Sequence, residues 1–184
     1  PKKDSENFFY QELLKDRNKI LDKALIKFNI YSKNEVKKCL SVYRSHNPKI
    51  QLYPQVNHIF KKFGKESIYI ITDGNKLVQK NKINALKLSK KVKSYIITSN
   101  YGIKHSKPSP YCFLHICKKE NIQPQELVYI GDNPNKDFVE LNKVGAQTVQ
   151  INFGPYANQS VPKGFNAKYR IESLIELNNL TEIL

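Results

Sequence analysis

Methionine and tryptophan are absent from this chain of 184 residues, and cysteine and arginine occur only three times each. No apolar run approaches the roughly 18 residues that a membrane span needs, so no transmembrane helix is expected. The amino terminus, Pro-Lys-Lys-Asp-Ser-Glu-Asn, is polar and leads into no signal-peptide core. Cys39, Cys112 and Cys117 form no close metal-type pairing, and their odd number without a signal suggests reduced thiols and a cytoplasmic location. Cys112 and Cys117 fall beside Phe113 and Ile116 on a predicted helix, where they read as small core residues. His46, His58, His105 and His115 are scattered, and His105 reads as a surface-loop residue although it lies close to Lys107. Neither a Gly-x-Ser-x-Gly elbow nor a Gly-x-Gly-x-x-Gly fingerprint occurs, which weighs against serine-hydrolase and dinucleotide-binding readings. Without Met even at position 1, either the chain begins downstream of an initiator or methionines have been lost from it.

What is present is lysine. The formal charge is +15, and 28 of the 31 cationic residues are Lys. Arg is the preferred residue for bidentate phosphate and guanine contacts, and it is scarce here. The lysines spread through nearly every segment beside an equal excess of Asn and Ile. That pattern favours a solvated basic surface over a nucleic-acid or other polyanion site. With 40% apolar and 26% charged residues, the chain can bury a core. The length suits one compact domain with a small subdomain.

Within a first subdomain of residues 1–52, residues 5–48 read as helical, with apolar positions Phe8, Phe9, Leu13, Leu14, Ile20, Leu21 and Leu25 forming one stripe of an amphipathic helix or pair. A second helix is expected from the capping-box pattern Ser32-Lys33-Asn34-Glu35 to just before His46-Asn47-Pro48. Residues 53–184 change rhythm. Pro54 opens a helix with Val56, Ile59, Phe60 and Phe63 inward and Gly64 as its stop. Strands are expected at Ser67–Thr72, Ser94–Thr98, Leu127–Gly131, Thr148–Asn152 and Lys168–Ile171. Helices are expected at Leu77–Leu88, Pro110–Glu120, Lys136–Val144 and Ser173–Leu184. The strands are unbroken apolar runs such as Ile-Tyr-Ile-Ile, the pattern of strands covered on both faces. The fold class expected is therefore a three-layer α/β/α Rossmann-like parallel sheet with a small helical subdomain.

In open α/β sheets, ligands bind beyond the carboxyl ends of the strands. Three motifs fall there. The Thr72 hydroxyl and the backbone amides of Asp73 and Gly74 can donate to phosphoryl oxygens, and Gly74 permits close backbone approach. Lys107, before the helix start Pro108-Ser109-Pro110, can neutralise developing phosphoryl charge. In Gly131-Asp132-Asn133-Pro134-Asn135-Lys136-Asp137, the spacing of Asp132 and Asp137 can aim both at one hard cation, which suits Mg²⁺. Each motif alone is also an ordinary turn or helix start. In order, at three sheet edges, they are more specific.

On these residues, from about Leu52 to Ala167, the chain resembles the haloacid-dehalogenase superfamily of Asp-dependent phosphohydrolases, and residues 1–52 resemble that family's α-helical cap. The resemblance implies a phosphatase for a small phosphorylated substrate. It makes Thr72 the phosphoryl-binding hydroxyl, Lys107 the third-motif lysine, Asp132 a direct Mg²⁺ ligand, and Asp137 a ligand or a carboxylate behind one. A dehalogenase would need no metal, and the acidic pair argues against it. The family's first motif, a strand ending in Asp-x-Asp that supplies nucleophile, general acid and a metal ligand, has no counterpart here. Asp4-Ser5-Glu6 follows no apolar strand. The expectation is an N-terminally incomplete enzyme, inactive as it stands. The alternative is a catalytically inactive phosphate-binding or regulatory module. Substrate identity and oligomeric state are not readable from the residues.

Overall fold

The computed structural model describes residues 2–15 and 18–180, and the chain divides into two compact units, Pro1–Asn47 and Pro48–Leu184. The described residues of the first unit are helical: the stripe read as one helix or a pair is a pair, α1 (Lys2–Lys15) and α2 (Ile20–Lys27), and α3 (Lys33–Ser45) follows. Lys19, in the left-handed region at φ 52°, immediately precedes α2. The capping-box expectation at α3 is met by half: the Ser32 hydroxyl accepts from the Glu35 amide at 3.1 Å, whereas the Glu35 carboxylate pairs with Lys38. Ala24 and Leu25 are the buried residues of α2, and the Phe8 and Phe28 rings meet edge-to-face at 6.2 Å. The side chain of Leu14 lies outside the described residues.

The second unit alternates helix and strand: α4 (Pro54–Phe63), β1 (Tyr69–Thr72), α5 (Lys76–Ala85), β2 (Ser94–Ile97), α6 (Tyr111–Glu120), β3 (Val128–Gly131), α7 (Val139–Lys143), β4 (Gln147–Ile151), β5 (Tyr169–Ile171) and α8 (Leu177–Leu180). Element ends differ from expectation by up to three residues. Ser67 closes a 3₁₀ turn, Thr98 opens another, and α7 starts after Asp137. The expected last helix is a 3₁₀ turn, Leu174–Glu176, followed by α8, and residues 181–184 lie outside the described residues.

Among the described residues all strand pairings are parallel and form two sheets, β1 with β2 in one, and β3 with β4 and β4 with β5 in the other. Alternate strand residues face opposite helical layers, as the two-residue strand period requires. On one side, Ile70 and Ile97 pack with Phe60 and Ile83, while Ile130 and Val149 pack with Ile59, Phe63 and Leu177. On the other side, Tyr69, Ile71 and Ile96 pack with Cys112 and Ile116, and Leu127 and Tyr129 pack with Phe113 and Leu141. Helices α4 and α6 thus each contact both sheets and hold them in one three-layer unit. Cys112 and Cys117 are buried and free, as core residues.

Leu141 is 1% exposed against Phe113 and Ala146. Leu141→Ala is expected to lower stability by about 2–5 kcal/mol, the range for a cavity made in a packed core. Urea unfolding of the purified chain measures it.

Candidate active site

The carboxyl end of β1 runs into Thr72-Asp73-Gly74-Asn75. Asn75 caps α5, its side-chain oxygen accepting from the amides of Leu77 at 3.1 Å and Val78 at 3.3 Å. Gly74 adopts φ 126°, and a Cβ there would stand 2.8 Å from the Gln79 amide nitrogen. Gln79 lies that close because the Thr72 hydroxyl donates to its side-chain oxygen at 2.9 Å.

Asp73 ties three segments together. Its carboxylate accepts from the Thr98 hydroxyl at 2.7 Å, from the backbone amide of Lys107 at 3.3 Å, and from the Lys136 ammonium at 3.4 Å. Thr98 is fully buried, immediately beyond β2. One carboxylate therefore joins the end of β1, the end of β2, the loop before α6 and the turn before α7.

Lys107 sits in that loop, preceding a cis bond to Pro108. The Ser109 hydroxyl accepts from the Tyr111 amide at 3.4 Å at the start of α6. The Lys107 ammonium donates to Asp137 at 2.7 Å and to the Tyr129 hydroxyl at 3.0 Å. Its side chain is only 10% exposed and that of Asp137 only 1%. Burial opposes the lysine charge, but the Tyr129 oxygen and the Asp137 carboxylate outweigh it and hold the ammonium above its ordinary value. Burial pushes the Tyr129 phenol up as well, so it stays protonated at neutral pH.

Asp137 is held from its own turn too. Its second oxygen accepts from the Asn133 amide at 2.9 Å. The close approach depends on Gly131, where a Cβ would stand 2.6 Å from that oxygen. Asp132 is different: it is exposed at the end of β3, and among the described residues it has no hydrogen-bond or ion-pair partner. The six residues singled out from sequence thus divide. Lys107 and Asp137 meet directly, Asp73 meets the Lys107 backbone, Thr72 and Gly74 lie beside Asp73 under Gln79, and Asp132 stands open next to the Asp137 turn.

Among the described residues no group of three or more His, Cys, Asp or Glu side chains is arranged to hold a metal ion. Magnesium asks for less, usually one or two carboxylates with water and substrate oxygens completing the shell. Asp132 fits that role as it stands, whereas Asp137 would first have to share its charge with Lys107.

The sequence profile described as haloacid dehalogenase-like hydrolase matches residues 4–151. The chain belongs to this family. Similar proteins include the glyceraldehyde 3-phosphate phosphatase of Pyrococcus furiosus, 34% identical over 61% of this chain and 46% of that protein. Another is the phosphoglycolate phosphatase of Chromobacterium violaceum, 32% identical over 46% of this chain and 36% of its own length. The chain thus spans less than half the length of these two relatives. Among solved structures, a putative family hydrolase of Bacillus subtilis bound to magnesium superimposes with a TM-score of 0.67 at 18% identity, covering 97% of this chain and 81% of that one. A family phosphatase from Thermococcus onnurineus gives 0.61 at 24% identity, covering 94% and 77%. At those identities the likeness is one of fold.

Four residues that hold this family member's site together were missed in the sequence: Gln79, Thr98, Tyr129 and Lys136. Only Thr98 left a signal, because Ile-Ile-Thr closes β1 and recurs with its Thr just past the end of β2.

Two outcomes are expected. Asp137→Asn leaves Lys107 charged and buried without its anion, and should cost about 3–5 kcal/mol by chemical denaturation, the usual price of breaking such a pair. Lys107 and Tyr129 are both raised, so the fold favours their protonated forms. Their stabilisation is complete below about pH 10 and fades as pH climbs past the unfolded values. Unfolding at pH 8 and pH 11 should show the loss in the parent chain, and a smaller one in a Lys107→Met, Tyr129→Phe double variant.

Proposed function

We propose that this chain carries the phosphate-binding and charge-neutralising part of a cytoplasmic, Mg²⁺-dependent phosphatase acting on a small phosphorylated metabolite through an aspartyl-phosphate. The observation that carries the reading is the Lys107 ammonium, 10% exposed and fixed between Asp137 and Tyr129 at the carboxyl ends of the strands. An ammonium has three N–H donors. Two are engaged, which leaves the third for a phosphoryl oxygen. Preorganised charge in a partly dry site is worth more than in water and needs no reorganisation during reaction. The Thr72 hydroxyl, now donating to Gln79, can turn to a second phosphoryl oxygen. The names of the Pyrococcus and Chromobacterium relatives support a small phosphate ester as substrate. The helical unit Pro1–Asn47 is the specificity cap in this reading.

Asp132, with Asp137 behind it, would hold Mg²⁺, which when bound neutralises phosphoryl oxygens. The remaining need is a nucleophile. Asp73 is committed to Thr98, Lys107 and Lys136, and Asp137 to Lys107. We assign the attack to an Asp-x-Asp motif at the end of an apolar strand upstream of Pro1. Its first carboxylate forms the new O–P bond while the bond from phosphorus to the leaving oxygen breaks, and its second gives that oxygen a proton. Water then cleaves the aspartyl-phosphate and releases phosphate. The engagement of both Asp73 and Asp137 also fits a phosphate-binding regulatory module, which keeps the pocket and loses the chemistry.

A protein extended through the upstream strand is expected to hydrolyse an aryl phosphate with Mg²⁺ and to stop on chelation. Lys107→Met in that protein should lower kcat by about 10²–10³, the effect of losing one charge-stabilising donor. The 184-residue chain alone should be inactive. Metal-dependent turnover by that chain would contradict the assignment, and an upstream sequence without such a strand would favour the binding module.

A further inference from the structure

Gln79 lies in the first turn of α5, four residues after the cap Asn75, and its backbone amide donates to the Asn75 carbonyl at 3.0 Å. Side chains on a helix lean toward its amino terminus, so the Gln79 side chain reaches back over the end of β1. There its Oε1 accepts from the Thr72 hydroxyl at 2.9 Å. Its Nε2 lies on the Gly74 side, 2.8 Å from where a Cβ of that residue would stand, with Cδ and Cγ each 3.6 Å from the same point. The bare Gly74 is thus what leaves room for the amide.

A hydroxyl carries one proton and two lone pairs. The Thr72 proton is spent on Gln79, so the hydroxyl presents only lone pairs to any other ligand. Turning that proton toward a phosphoryl oxygen would leave two bare oxygens, Thr72 Oγ1 and Gln79 Oε1, facing each other at 2.9 Å. Two acceptors at that distance repel, and each has lost its donor. Half a turn of the Gln79 amide removes the conflict. Nε2 then donates to Thr72 Oγ1, and the threonine proton goes to the phosphoryl oxygen. The terminal torsion of a glutamine is broad and roughly two-fold, so the reversal requires no movement of α5. The resulting chain of donors runs from the amide through the hydroxyl to the anion, and each hydrogen bond polarises the next.

We propose that Gln79 is a positioning residue for Thr72, an assignment that rests on the reading of Thr72 as a phosphoryl donor. In the orientation seen here Gln79 takes the Thr72 proton. With a phosphoryl group bound, its amide reverses, so that Thr72 accepts from Gln79 and donates to the ligand. The glutamine amide is suited to this task because it carries a donor and an acceptor on one rotatable end, which neither a carboxylate nor an ammonium does.

The probe is inorganic phosphate, titrated into the full chain while NMR follows the Gln79 side-chain amide, the Thr72 backbone amide and the Lys107 ammonium. Phosphate should shift the Gln79 Nε2 protons downfield and slow the exchange of one of them with water, at the same midpoint as the Lys107 response. Gln79→Met keeps the length and removes both donor and acceptor, and should weaken phosphate binding about three- to tenfold, the worth of one hydrogen bond. In a Thr72→Val background there is no hydroxyl to orient, so the same change should cost less than about twofold. Responses at Lys107 and Thr72 with the Gln79 side-chain amide unmoved would overturn the proposal and leave phosphate binding standing; this measurement on the parent chain needs no variant to fold. Equal affinity of Gln79→Met and the parent would also overturn it, as would an equal loss in both backgrounds, the mark of a purely structural role. No response at Lys107 or Thr72 would overturn the phosphoryl reading and this assignment with it.

Discussion

The buried ion pair between Lys107 and Asp137 is the constraint on which the carboxyl-end site depends. It links the loop before α6 to the turn before α7, two segments 30 residues apart in sequence. Burying both charges is costly, and the pair is tolerated because each partner has further hydrogen bonds: Lys107 to Tyr129, and Asp137 to the Asn133 amide. Those supports make demands of their own. Gly131 must lack a Cβ for Asp137 to fit, and the Tyr129 ring must lie against Phe113, where the centroids are 4.7 Å apart. Asp73 performs the complementary task by gripping the Lys107 backbone while Thr98 and Lys136 grip its carboxylate. The Lys107 ammonium is therefore fixed at both its main chain and its tip.

Such fixation suits phosphoryl transfer, which asks a protein chiefly for positioned donors and charge. The lysine is held protonated with one donor unspent, the Thr72 hydroxyl donates to Gln79, and Asp132 is exposed with no partner among the described residues. The rest of the molecule keeps these groups at one edge. Parallel strands send their carboxyl ends the same way, and α4 and α6 bind the two sheets so that the ends of β1 and β3 face a common site.

Much of this was legible in the residues, for identifiable reasons. Unbroken runs such as Ile-Tyr-Ile-Ile can be satisfied only by burial on both faces, so a parallel three-layer arrangement followed. Gly64 and Ser32 marked helix limits through their local chemistry. Element ends were less readable, because a 3₁₀ turn and a strand end share residues such as Ser67 and Thr98. Whether the stripe from Phe8 to Leu25 forms one helix or a pair stayed open in the sequence, because the break before α2 rests on Lys19 at positive φ, a conformation that no lysine advertises. In the site, Thr72, Lys107 and Asp137 stood out by position. Tyr129 did not, since it lies inside an apolar strand and reads as core; its hydroxyl matters only because Lys107 and Asp137 arrive from elsewhere. Lys136 was hidden among many lysines. The separation into two sheets is what the resemblance implies, because the first-motif strand that has no counterpart here would lie mid-sheet, between β1 and β3.

The central claim is that the cluster around Lys107 binds a phosphoryl group. NMR of the chain titrated with inorganic phosphate and Mg²⁺, following the Lys107 ammonium and the amides of Thr72, Asp73 and Gly74, tests it most directly. The account predicts saturable shifts at those groups together, lost at the amides in Lys107→Met. Phosphate-induced shifts confined to exposed lysines elsewhere, with the Lys107 and Thr72 signals unmoved, would contradict it.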